Sequence, residues 1–183
     1  MHLSPVSSLA LQLVLAAHAA QSGPVKIAPR DDSCADLSTK SPGWQITNAL
    51  SSDWPGSGSG RVELFAHHVP TGETADCDVE YALNATTGAV INYNPTVAHD
   101  CINFGTQALN TTIQLDMTSL QMTLRSTWMC EGDDRTRYIA TGTGTLQRNV
   151  SAESCNIEPS QLGDVTSCNM PNMSIEGKLA AES

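Results

Sequence analysis

An alternation of apolar and polar residues from Thr112 to Gln147 limits what this chain can become. Ile113, Leu115 and Met117 alternate with Gln114 and Asp116. Leu120, Met122 and Leu124 alternate with Gln121, Thr123 and Arg125, and the same phase reaches Trp128 and Cys130. Tyr138, Ala140, Gly142, Gly144 and Leu146 carry it further. A period of two sends successive side chains to opposite faces of a strand, so one face is buried and the other wet. Strands of that kind build antiparallel sheets. Met117-Thr118-Ser119 falls where two of these strands need a tight connection, and Glu131-Gly132-Asp133-Asp134 reads as the next turn.

The same pattern runs upstream. Trp44, Ile46 and Leu50 predict a short first strand anchored by Trp44. Gly56 to Gly60 is a Gly/Ser run, read as a long inter-strand loop because it offers nothing to pack. Val62, Leu64 and Ala66 predict a strand over 61–69, and Cys77, Val79, Tyr81 and Leu83 another over 76–83. Asn84 to Gly88 reads as a turn and Ala89 to Tyr93 as a short strand. Gly142 and Gly144 suggest a bend or bulge, as barrel corners require. No amphipathic helix stands out. Seven or eight strands at short spacing predict an all-β fold, an antiparallel β-barrel or sandwich, stapled by disulfides.

The staples follow from the N-terminus. Val6 to Ala17 is an apolar run too short to span a bilayer, and Ala17-His18-Ala19 is a small-x-small cleavage site. Residues 1–19 thus read as a secretory signal peptide, and 20–33 as a flexible mature terminus or short propeptide. Residues 34–183 read as one secreted β domain. Six cysteines (Cys34, Cys77, Cys101, Cys130, Cys155 and Cys168) behind a signal imply a disulfide framework, whose pairing spacing alone does not choose. Sequons at Asn84, Asn110, Asn149 and Asn172 mark surface sites for glycosylation in a secreted glycoprotein.

Charge and motif then exclude function classes. A formal charge of −10 argues against nucleic acid, whose phosphates demand a basic footprint, and against anionic membrane surfaces. No Cys-x-x-Cys or Cys/His cluster has zinc spacing, so no metal and no cofactor is expected. His67 and His68 are neighbours on a strand and leave opposite faces, so they cannot chelate one ion. His99 and Asp100 beside Cys101 suggest a nucleophile only if Cys101 is unpaired. Carboxylates cluster at Asp31-Asp32, at Asp78 and Glu80, and at Asp133-Asp134, without the aromatic platforms of a glycosidase cleft. No catalytic residue is assigned.

The order of cysteines and tryptophan carries one resemblance. Cys34 is followed by Gly43-Trp44-Gln45-Ile46, a strand around Cys77, then Cys101, the Leu120–Leu124 strand, Tyr138-Ile139-Ala140, and last Cys155 and Cys168. Over 34–168 this resembles the family of the major Alternaria allergen, small secreted fungal proteins with an unusual β-barrel. The resemblance implies bonds Cys77–Cys101 and Cys155–Cys168, and an intermolecular role for Cys34. Cys130 departs from the family pattern and offers Cys34 a partner within the chain, leaving a monomer or a disulfide-linked homodimer. The resemblance implies no agreed enzymatic activity. It implies an effector- or allergen-like protein working in host or cell-surface interaction, by binding a host extracellular protein. The alternative is a carrier of a small apolar ligand in a cavity lined by Met117, Met122, Leu124, Trp128 and Tyr138. A polysaccharide-active enzyme ranks below both.

Overall fold

A computed structural model describes residues 33–105, 108–130, 136–151 and 153–180. They belong to one compact unit that begins at residue 32. The expected signal peptide at 1–19, nearly all of the 20–33 segment and the expected turn at Glu131–Asp134 lie outside the described residues.

The first ordered element is a helix that the alternation does not announce, α1 (Cys34–Lys40). Ser33 caps it by accepting from the Asp36 N–H, and the Ser33 hydroxyl donates to Asp36 Oδ2. Among the described residues thirteen strands follow: β1 (Gly43–Trp54), β2 (Ser59–His68), β3 (Thr74–Leu83), β4 (Val90–Ile91), β5 (His99–Asp100), β6 (Ile102–Asn103), β7 (Leu109–Leu115), β8 (Gln121–Met129), β9 (Arg137–Thr145), β10 (Cys155–Glu158), β11 (Val165–Asn169), β12 (Met173–Glu176) and β13 (Lys178–Leu179). Six of them, β1, β2, β3, β7, β8 and β9, have seven residues or more, and the rest are short pieces of two to five. One sheet runs β10-β11-β1-β2-β3-β4, with β12 also on β1 and β6 also on β3. The other runs β13-β9-β8-β7-β5. Every pairing is antiparallel. The result is an all-β half-barrel, curled around a core of inward side chains.

Two of the places where the chain passes between the sheets are tight corners. At the first, β5 pairs with β7 and β6 with β3, and Cys101 lies between them, bonded to Cys77 of β3. At the second, β12 pairs with β1 and β13 with β9, and Gly177 is the hinge. A Cβ on Gly177 would stand 2.6 Å from the Pro42 carbonyl oxygen, so a side chain is excluded there. The corners therefore are not at Gly142 and Gly144. Those two sit in a regular stretch of β9 opposite Leu124 and Met122. Their bare backbone lets the other sheet close in: a Cβ on Gly142 would meet Trp44 Cζ3, Ile175 Cγ2 and the Glu176 carbonyl oxygen, each at 2.7 Å.

Two further expectations change. β1 is twelve residues long rather than short, because a bulge lies between Thr47 and Leu50. Asn48 takes φ +52°, a left-handed value that asparagine tolerates. The bulge shifts the phase, so Trp44 and Ile46 face inward before it and Ala49 and Ser51 after it, while Leu50 turns outward. The Gly/Ser run is not a long loop either. A 3-10 turn over Pro55–Ser57 and a left-handed Gly58 (φ +73°) return the chain directly into β2.

Three disulfides close the structure: Cys34–Cys130, Cys77–Cys101 and Cys155–Cys168. Cys34 is thus occupied within its own chain. Trp44 and Trp128 anchor the interior, and each indole N–H meets a buried serine. Trp44 Nε1 donates to Ser126 Oγ at 3.0 Å, and Trp128 Nε1 to Ser38 Oγ at 2.8 Å. Ser38 in turn donates to the Cys34 carbonyl, so helix, tryptophan and disulfide lock one end of the core. Met122 and Leu124 fill the same interior, and Met117 and Tyr138 pack at its margin. Tyr138 stacks on Trp128. These five residues are core packing, where the carrier reading requires the walls of an empty space.

Candidate recognition face

The outward face of the first sheet holds what the core leaves over. Alternation along β2 sends Val62, Leu64, Ala66 and His68 inward and Arg61, Glu63, Phe65 and His67 outward. Along β3 it sends Cys77, Val79 and Tyr81 inward and Asp76, Asp78 and Glu80 outward. Register then aligns these side chains in rows across the strands. Ser52, Arg61 and Glu80 form one row, and Leu50, Glu63 and Asp78 the next. Thr47, Phe65, Asp76 and Ile102 form a third.

The third row carries the apolar side chains of the face, Phe65 and Ile102, on either side of Asp76. Ile102 is 66% exposed and Phe104 64%. The Phe104 N–H donates to the Thr74 carbonyl, which lays that side of the chain along β3. Phe65 and Phe104 meet edge to face, with ring centroids 6.3 Å apart. The chain has two phenylalanines, and both are in this pair.

The other two rows are acidic. Four carboxylates, Glu63, Asp76, Asp78 and Glu80, share the face with one cation, Arg61, which bridges Glu63 and Asp78. The hydrogen bond to Glu63 holds the Arg61 guanidinium above its ordinary value. Burial raises the Asp76 carboxyl, and the Glu63 charge adds to it. Burial also raises Asp78, with Arg61 opposing. Asp76 Oδ1 is buried without a hydrogen-bond partner. Beyond Glu80 the face opens into a groove of about 480 Å³ bounded by Trp54, Arg61, Glu80 and Val165. Its far wall comes from the β10–β11 hairpin, which the Cys155–Cys168 bond staples. That hairpin's loop brings the Leu162 carbonyl so close to Gly56 that a Cβ there would clash.

The remaining singled-out residues lie elsewhere. His68 is inward and 0% exposed, with Thr71 Oγ1 at 2.9 Å from Nδ1 and the Trp128 ring 4.4 Å away. Thr71 Oγ1 also accepts from the Glu73 N–H, and His68 Nε2 is buried without a hydrogen-bond partner. Burial lowers the His68 value to about 3, so the ring is neutral. His67 leaves the opposite face and contacts Thr74 Oγ1. His99 lies on β5 next to a disulfide-bonded Cys101 that has no thiolate to offer. Asp78 and Glu80 stand side by side on an open sheet face rather than across a cleft. Among the described residues no group of three His, Cys, Asp or Glu side chains is placed to hold a metal ion. Asn110, Asn149 and Asn172 are exposed and Asn84 half-buried. None of the four is on an outward position of β2, β3 or β6.

Sequence reasoning missed this face because Phe65, Ile102 and Phe104 look like core residues. The signal was available in β2, where Phe65 falls in phase with Arg61 and Glu63 and out of phase with Val62 and Leu64.

Fold and face together describe a disulfide-stapled antiparallel half-barrel with an aromatic and acidic outer sheet. No family model matches the chain, and neither does any curated protein or solved structure.

Proposed function

We propose that this chain is a secreted, non-enzymatic protein of the fungal effector or allergen type, working in host or cell-surface interaction by binding another protein. Extracellular residence fits a small domain with three disulfides and, among the described residues, no helix long and apolar enough to cross a membrane. The observation that carries the binding reading is the Phe65–Phe104 pair with Ile102 on the outer sheet. Burying a phenylalanine side chain is worth about 1.5–3 kcal/mol. Here the interior takes Trp44 and Trp128, while both phenylalanines stay on the outward face. An apolar cluster left at the surface, with Phe104 and Ile102 exposed and Phe65 half-buried, marks a contact surface.

The test is a pull-down from host extracellular fluid with the protein purified from a secreting host. The wild type is expected to retain a partner that a Phe65→Ser/Phe104→Ser variant of unchanged melting temperature loses. Equal recovery by both, or nothing above an unrelated secreted control, would sink the reading.

A carrier role draws on one observation, the groove beside Trp54. It would place a small ligand at the surface rather than in the barrel interior.

A further inference from the structure

The outer face has a second property besides its aromatics, and it bears on what kind of protein can dock there. We infer that the partner presents a cationic segment, with Lys or Arg side chains beside an apolar one. This rests on the protein-binding reading above.

The face repeats one arrangement across two strands. Phe65, Phe104 and Ile102 form an apolar end. From them the carboxylates of Asp76, Asp78 and Glu80 run along β3, with Glu63 beside Asp78 on β2. Arg61 is the only lysine or arginine in β2, β3 or β6, and it is already shared between Glu63 and Asp78. Four carboxylates against one guanidinium leave the face negative. Successive outward residues of a strand are about 7 Å apart, since each residue rises about 3.4 Å. An extended segment lying along β3 meets the carboxylates at that same period, with its own alternate side chains.

Charge decides among the occupants of an exposed apolar patch. A second copy of this chain docking face to face would set each carboxylate row against its twin, within a molecule of net charge −10. Anionic lipid and nucleic acid are repelled for the same reason. A basic protein segment satisfies both halves of the face. Its apolar side chain covers Phe104 and Ile102, and its ammonium or guanidinium groups neutralise Asp78 and Glu80.

The experiment uses two synthetic peptides, one alternating Leu and Lys and one alternating Leu and Glu, titrated calorimetrically into the whole secreted protein. The Leu/Lys peptide is expected to bind and the Leu/Glu peptide not. Asp78→Asn/Glu80→Gln and Phe104→Ser should each weaken Leu/Lys binding about tenfold, the scale of losing one anchoring contact. A Glu158→Gln/Asp164→Asn variant removes the same charge from the exposed β10–β11 hairpin, whose strands lie three and four places from β3 and so about 14–19 Å away, and should leave binding within about twofold, since screening confines surface charge effects to roughly 10 Å. Equal weakening by both double variants, binding of either peptide alike, or binding of neither overturns the proposal. If the pull-down partner is lost with Phe65→Ser/Phe104→Ser while Asp78→Asn/Glu80→Gln retains it, the docking face stands and its cationic occupant falls.

Discussion

At the scale of single residues, His68 is a titratable ring held inside the core. It is enclosed between Trp44 and Trp128, with centroid distances of 5.9 and 4.4 Å. Thr71 Oγ1 contacts its Nδ1 at 2.9 Å, and burial first, then the neighbouring His67, lowers its value from 6.5 to about 3. The sign follows from where the proton binds better. The unfolded chain takes it up near pH 6.5 and the folded chain only near pH 3, so stability is complete above the upper value and is lost as pH falls between the two. The loss is about 1.4 kcal/mol for each pH unit in that window. Asp76 and Asp78 have raised values and act in the opposite direction, favouring the fold as pH falls. Urea midpoints from neutral to acidic pH should therefore drop more steeply for the wild type than for His68→Gln. Parallel curves would mean that His68 reaches water in the native state. Ser126 works by a different route. It accepts from Trp44 and shares a hydrogen bond of 2.7 Å with Thr111, so a polar trio sits inside an apolar core with its partners met.

Among the elements, β9 shows how two sheets are brought together. Gly142 and Gly144 lie on its inward side, and the space their missing Cβ atoms leave is filled by Trp44, Ile175 and Met173. The two are not equivalent. At Gly142 the neighbours include a backbone carbonyl at 2.7 Å, which cannot move without shifting β12. At Gly144 the first contact is the Met173 methyl, the end of a side chain that can rotate away. Gly142→Ala should cost about 1–3 kcal/mol as overpacking, and Gly144→Ala clearly less. Melting temperatures of the two variants check this, and a reversed order would show that β12 yields more readily than Met173. The turn before β8 is a comparable case of local chemistry overriding a pattern. Leu120 reads as the first inward residue of the strand, but it lies in the turn at φ +55°. The Asp116 carboxylate accepts from the Thr118 and Ser119 N–H groups to hold that turn, and those bonds lower its value.

For the whole molecule, the disulfides differ in what they join. Cys34–Cys130 spans 96 residues and fastens α1 over Trp128 at the end of β8. Cys155–Cys168 spans 13 and only pins two adjacent strands, beside the groove. In the chain-entropy account the stabilisation grows with the loop closed, reaching about 4.7 kcal/mol near 100 residues and about 3 near 15. Replacing Cys34 and Cys130 with alanine should thus destabilise more than replacing Cys155 and Cys168, by about 1–2 kcal/mol in denaturant titrations. Equal losses would show that α1 adds nothing once the sheets have formed. With all six cysteines paired inside the chain, no described cysteine is left to link subunits.

The alternation in β2, β3, β7, β8 and β9 determined the class of fold, because a period of two has one solution when half of each strand must avoid water. It also supplied most of the core, from Val62 and Leu64 to Trp128. What it did not contain was long-range. Helix α1 rests on seven residues and a serine cap, too short to show a period, and is held by Cys130 and Trp128. The bulge at Asn48 reverses the phase of β1, which no count along the chain registers. The recognition face was hidden for the same reason. Phe65, Asp76 and Ile102 are neighbours only because β2, β3 and β6 pair in one register, and hydrophobicity read along a chain does not say which side of a sheet will meet water.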